Sequence, residues 1–418
     1  MAETYFILSP VITRSFDKNV HKRFLATYRL SVKWDRSGIP FHEYVQDLIA
    51  RGQIEVSELE EFLNEELLYG NQRSISMYDL YGDYADIQNG QKILARIQKY
   101  YPYIDSFPYH NVLFQPFHDN IRELVSVRVK FGLDAVTVQK LIMIFSEKCT
   151  VSSKTGRHSE YSYITVEIDF TRNLLFVKTE PKTGVLEEDK RHANLTEKYF
   201  KIVKKMFQLQ INEFADRHKA VLCNINTELY RQVYSKMVQA QPKKMEEYIS
   251  TVTDDFLDKL EIKNYREKLA HNNIFHVKDF LTKMVEHILI TNILYESAET
   301  GTLEDVEGYV TYIKFSDGTN ISARIRGETY TEPIFSSEAF MALRASINNA
   351  ERITILKIAW LNEFRGTRVS YDASDSQCLG IHLYKHHTKE EFDYAVNKYR
   401  EIESRTFEED SAVTAMEA

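Results

Sequence analysis

The chain has 418 residues, room for two or three domains and a large core, with 43% hydrophobic and 27% charged side chains. That balance excludes a disordered or fibrous polymer and fits a globular chain. A formal net charge of −8 removes any overall attraction to nucleic acid or to an acidic membrane, so contact with either has to be local.

The three cysteines, Cys149, Cys223 and Cys378, are far apart and form no CxxC pair. This excludes a zinc ribbon or a disulfide framework and fits a reducing compartment. The N-terminal apolar run has no basic start and no small-residue cleavage site, so no signal peptide is read. No apolar run approaches the roughly 20 residues that span a bilayer. A cytoplasmic protein without membrane contact is expected. The phosphate-loop, dinucleotide-binding, GxSxG and HExxH patterns are missing, and 14 glycines leave little for phosphate-cradling loops. Abundant Tyr and Phe with scarce Gly and Pro resembles residue usage in AT-rich bacterial or phage genomes.

In chain order, Tyr5 to Ile12 is β-branched and aromatic and reads as an edge strand interrupted by Pro10. Phe41 to Arg51 has helical periodicity. The next segment, SELEEFLNEELLYG, predicts a helix with a capping box at Ser57 and Glu60 and a terminal glycine at Gly70. Its glutamates, Glu58, Glu60, Glu61, Glu65 and Glu66, read as a solvated acidic face. A short strand is expected over Arg73–Tyr81, a helix over Gln91–Tyr101, and a Pro-broken aromatic connection as far as His118. Leu124–Phe131 alternates as a strand, and Leu133–Cys149 reads as an apolar helix.

Tyr163–Phe170 and Leu174–Lys178, joined by Thr171-Arg172-Asn173, predict a β-hairpin. The segment Glu180-Pro181-Lys182 follows. An acid near the end of one strand followed by Glu-x-Lys on the next resembles the PD-(D/E)xK nucleases. That resemblance implies a divalent cation held by Asp169 and Glu180, with Lys182 activating the attacking water. Without it, the same residues are hairpin scaffolding and no metal or cofactor is needed.

Val185–Thr300 has no glycine and a single proline, Pro242, which predicts packed helices near 194–214, 221–238, 245–260 and 277–295. Residues 190–300 carry 18 Lys and Arg against 15 Asp and Glu. Lys198, Lys201, Lys204 and Lys205 mark a solvated helix face. His271 and His276, five apart, lack the spacing of a helical zinc pair.

Tyr309–Phe315 and Asn320–Arg326, joined through Asp317-Gly318, predict a second hairpin. A helix over 336–347, strands at 352–361 and 378–385 and a helix at 389–403 complete a small α+β domain. Strand alternation places Arg324 with Arg326, and His382 with Tyr384, on polar faces. Arg365 and Arg368 are read in a loop. These six residues are the candidate contacts for an anionic partner, with Asp372 and Asp375 as neighbours able to silence them.

The expected fold is α+β and helix-rich, a central helical region flanked by two α+β parts that each carry a hairpin. The expected boundaries are 1–189, 190–300, 301–407 and a disordered acidic tail at 408–418. The expected function is a non-catalytic interaction or regulatory protein with a protein partner. It would be associated with nucleic acid, within a bacterial or phage defence or mobile-element complex. The alternative is the Mg²⁺-dependent nuclease.

Overall fold

The computed structural model describes residues 7–70, 73–113, 123–154, 156–213, 216–240, 244–260, 276–300, 306–316, 322–327, 329, 332–349, 352–361, 366–384 and 386–417. The chain opens with α1 (Pro10–Arg14), α2 (Lys18–Thr27), α3 (Ser31–Ser37), α4 (Phe41–Ala50) and α5 (Val56–Tyr69). There follow β1 (Ser74–Asp79), α6 (Gly90–Gln98), β2 (Tyr109–His110), β3 (Leu124–Phe131), β4 (Val138–Ser153), β5 (Gly156–Asp169) and β6 (Leu174–Thr179). Next come α7 (His192–Phe207), α8 (Arg217–Ala240), α9 (Met245–Lys259) and α10 (Val277–Thr300). The last part holds β7 (Gly308–Ser316), β8 (Ser322–Arg326), α11 (Glu338–Asn349), β9 (Arg352–Trp360), β10 (Thr367–Asp372), β11 (Leu379–Leu383) and α12 (Lys389–Glu417).

The chain divides into two compact units, and neither is continuous in sequence. Unit 1 takes residues 1–215 and 375–392, and unit 2 takes 216–374 and 393–418. This corrects the expected fold class. The protein mixes α and β, but the helices of the middle do not form a region between two flanking parts. Helix α7 belongs to unit 1, α8 to α10 belong to unit 2, and in each unit the helices cover an antiparallel sheet. Apolar helical periodicity says that a face is buried; it does not say against which sheet.

In unit 1 the strands run β2-β3-β4-β5-β6-β1-β11, each antiparallel to its neighbour. Leu25, Val45, Leu59 and Leu63 of the N-terminal helices pack on Val125, Ile144 and Tyr163 of one face. Ile93 and Ile97 of α6, with Leu195, Tyr199 and Val203 of α7, pack on Leu141, Phe145, Val166 and Leu175 of the other. Burial of both faces explains why 133–149 was misread as a helix. Strand β4 has apolar residues on both sides, so the two-residue alternation that marks a half-exposed strand is blurred. Its 14-residue ladder with β5, from Lys140↔Asp169 to Ser153↔Gly156, settles the assignment. The last strand, β11, arrives from the far end of the chain and pairs Ile381 with Ile75.

Four local readings are also corrected. Pro10 does not interrupt a strand; it starts α1, where its missing N–H costs nothing, and the Ser9 hydroxyl accepts from Val11 N at 3.2 Å. The capping box of α5 lies two residues earlier than read, with Glu58 accepting from Glu55 N at 2.9 Å. Gly70 has φ −65° rather than a left-handed conformation. It is required because a Cβ there would lie 2.2 Å from the Glu66 carbonyl oxygen. The acidic face is only partly solvated: Glu60 and Glu66 are buried. Glu60 accepts from Val112 N at 3.1 Å. Glu66 is paired with Arg23 at 2.5 Å and with His386 at 3.1 Å.

In unit 2 the strands run β10-β9-β7-β8, again antiparallel. Helix α8 lies across β9 and β7. Its buried Val221, Ile225, Leu229 and Val233 match buried Val310, Ile313, Leu356 and Ile358 of the strands. Tyr371 donates its hydroxyl to Ala395 O at 2.8 Å and accepts from Trp360 Nε1 at 3.2 Å. The unforeseen strand here is β10, which takes in Arg368, read as a loop residue. The Asp317-Gly318 turn and Pro242 lie outside the described residues, as do Phe114, His118 and His271. Helix α12 extends to Glu417.

Candidate nucleic-acid interface

The first hairpin forms, with the register Asp169↔Leu174 through Ile164↔Thr179. That register keeps the nuclease residues apart. Asp169 is at the turn end, and Glu180 lies just past the other end, six residues beyond Leu174. At roughly 3.3 Å per residue the two are about 20 Å apart. Each has another partner. Asp169 is fully buried, pairs with Lys140 at 2.8 Å and with Arg172 at 2.7 Å, and accepts from Thr171 N at 3.1 Å. Burial pushes its carboxyl up, but the Lys140 and Thr171 hydrogen bonds and the Arg172 charge outweigh burial and hold it at about 2. Glu180 is 3.6 Å from Arg73. Lys182 is paired with Glu160 at 2.7 Å and donates to Ser15 O at 3.3 Å. Among the described residues no group of three or more His, Cys, Asp or Glu side chains is arranged to hold a metal ion. The three residues do not fit a shared cation, and no reaction step is derived through one.

Glu167, the other carboxylate on β5, is also occupied. It bonds Lys178 at 2.9 Å and Lys140 at 3.2 Å. Lys178 is fully buried, with its ammonium 4.1 Å from the Phe392 ring centroid and 4.6 Å from that of Tyr69. Charge in this hairpin neutralises charge.

The second hairpin is built differently. Its register pairs Tyr312 with Arg326 and Lys314 with Arg324. On the other side of β7, Tyr312 pairs with Lys357, and Lys357 pairs with Ser370 of β10. Residues directly opposite in an antiparallel ladder share a face. One transverse row therefore reads Arg326, Tyr312, Lys357 and Ser370, and the next reads Arg324, Lys314, Ile355 and Asp372. Arg368 joins the same face opposite Ala359, which also faces Tyr309. Five cationic side chains thus share this face with one carboxylate, Asp372, whose side chain accepts from Ser374 N at 2.9 Å. Lys314, Arg324 and Arg326 are exposed. The Lys357 ammonium is 5.0 Å from the centroid of the Tyr312 ring. Burial raises the Tyr309 hydroxyl pKa and the Arg368 charge opposes it, so that guanidinium is in electrostatic reach.

The six expected contacts are thus divided. Arg324, Arg326 and Arg368 share a face of unit 2, while His382 and Tyr384 belong to unit 1, their rings edge to face at 4.6 Å. Arg365 lies outside the described residues. Asp375, the other neighbour named as a silencer, is in unit 1 and accepts from Gln377 N at 2.8 Å. The sequence reading missed Lys314, Lys357 and Tyr312. Lys314 and Tyr312 were legible, because pairing YVTYIKF against NISARIR sets them opposite the arginines. Lys357 was hidden in the apolar run RITILKIAW.

No helix among the described residues is long and apolar enough to cross a membrane. Compared with known protein families, curated proteins and solved structures, the chain shows no significant match to any of them.

Proposed function

We propose that unit 2 binds single-stranded nucleic acid across the β7–β8 side of this sheet face, where Lys314, Arg324 and Arg326 are exposed, and that the protein acts by binding rather than by chemistry. The observation that carries this is the row Arg326–Tyr312–Lys357 beside Lys314 and Arg324. Cations about 7 Å apart along β8, at roughly 3.3 Å per residue, suit backbone phosphates. A tyrosine ring between them on an open sheet offers a surface on which a base stacks. The chain's net negative charge favours a local, face-specific contact.

The test is fluorescence anisotropy with labelled oligouridylate and oligothymidylate. About four phosphate contacts lower the affinity roughly 50-fold between about 50 and about 200 mM salt. The double variant Arg324→Glu with Arg326→Glu weakens binding at least about tenfold and flattens that salt slope. No binding at low salt, or an unchanged slope in a folded double variant, overturns the proposal.

A further inference from the structure

Unit 1 contains a cleft of about 900 Å³, at the upper end of small-molecule sites. Its walls come from α5, the start of α6, the connection through Phe107, His110 of β2 and Arg128 of β3. Two of its polar side chains are unsatisfied. Asn64 is 1% exposed, and among the described residues its Oδ1 accepts no hydrogen bond. Arg128 donates through Nη1 to Glu65 at 3.4 Å, but its Nε and Nη2 are buried and donate to nothing among the described residues. Buried polar groups without partners are rare in native proteins and call for an explanation.

The Nε–Nη2 edge of a guanidinium presents two parallel N–H groups, the geometry that a carboxylate takes in a bidentate contact. Arg128 lines the cleft. Nearby groups oppose a simple anion. Glu60 and Glu61 line the same cleft. The His110 imidazole, lowered first by burial and then by the Arg128 charge, also feels Glu61. A ligand with only negative charge meets those carboxylates, and one with only positive charge meets Arg128. A zwitterion satisfies both, its carboxylate on Arg128 and its ammonium on Asn64 Oδ1 and the acidic side of α5. Phe107, Val129, Phe131 and Val136 supply an apolar wall. We infer that the cleft binds a free α-amino acid with an apolar side chain. This stands apart from the nucleic-acid reading of unit 2, which involves none of these residues.

Isothermal titration calorimetry on the full chain tests it, with L-phenylalanine, L-leucine and L-methionine as probes. Phenylpropionate, which lacks the ammonium, and phenethylamine, which lacks the carboxylate, are the controls. At least one amino acid binds, and L-phenylalanine binds about tenfold or more tighter than either control. Arg128→Gln reduces L-phenylalanine to the level of phenethylamine, and Asn64→Leu reduces it to the level of phenylpropionate. Thermal melts show whether each variant is folded, and Asn64→Leu serves alone if Arg128→Gln does not fold. The inference is overturned if no amino acid binds at up to about 10 mM. Controls that bind as tightly as L-phenylalanine, or a folded variant that binds unchanged, overturn it as well.

Discussion

The β5–β6 hairpin of unit 1 and the β7–β8 hairpin of unit 2 look alike as sequence: β-branched and aromatic strands, a short turn, and a few charges. Their charges have opposite fates. On β5 and β6, Asp169, Glu167 and Lys178 lie between two helical layers, so each needs a partner within hydrogen-bond distance. On β7 and β8, Lys314, Arg324 and Arg326 stand on an exposed face, where water solvates them and no partner is required. The difference is the covering layer. Where both faces of a sheet are covered, a charged residue becomes part of an internal neutralised cluster. Where one is open, like charges collect and can meet an external anion.

Substitutions can break this comparison, and the largest effect is expected inside unit 1. Glu167→Ala leaves the buried Lys178 ammonium without its 2.9 Å partner and is expected to cost about 3–5 kcal/mol in urea unfolding. Replacing both, as Glu167→Leu with Lys178→Met, should recover most of that loss, because the lone charge is then gone. A single variant as stable as the parent would mean that the pair is solvated.

Acid sharpens the contrast. The Asp169 carboxyl is held at about 2, below its ordinary 3.8, because the bonds from Lys140 and Thr171 and the Arg172 charge outweigh burial. A depressed carboxylate pKa stabilises the fold above the unfolded value and loses that contribution as pH falls through the folded value. About 2 kcal/mol is therefore present above about pH 5 and disappears toward about pH 2. Asp169→Asn should remove this part of the acid limb, measured as unfolding free energy at stepped pH. An unchanged limb would place the acid sensitivity elsewhere.

On the open face the effects move from stability to binding. Tyr312→Ala should weaken oligouridylate by roughly 1–3 kcal/mol if a base stacks there, read by anisotropy. The smallest effect on folding is expected for Arg324→Ala, within about 0.5 kcal/mol by urea unfolding. A loss comparable to that of Glu167→Ala would show that Arg324 is a structural partner and dissolve the distinction between the hairpins.

Local pattern made much of the secondary structure legible. Strand alternation located β3, an apolar β-rich run located β9, the periodicity of α4 was plain, and the Thr171-Arg172-Asn173 connection marked its hairpin. Arg324 and Arg326 could be paired on one face for the same reason, because a two-residue period needs no knowledge of the rest of the chain. The basic face as a whole was not legible. It needs Lys357 from β9 and Arg368 from β10 beside Tyr312, which are pairings between segments far apart in sequence.

Tertiary structure decided what long-range contact controls. Strand β4 resembled a helix until both of its faces were seen to be covered. Glu66 looked solvated until Arg23 and His386, 43 and 320 residues away, were found to bond it. The Asp169, Glu180 and Lys182 pattern suggested a metal site until register put its ends apart and gave each residue its own partner. The middle helices suggested a region of their own until α7 was found in one unit and α8 in the other. A short segment dictates its own period, caps and turns through interactions within a few residues. Whether its outward face meets water, a carboxylate or another layer depends on residues brought there by folding, and that environment sets the role of each charge.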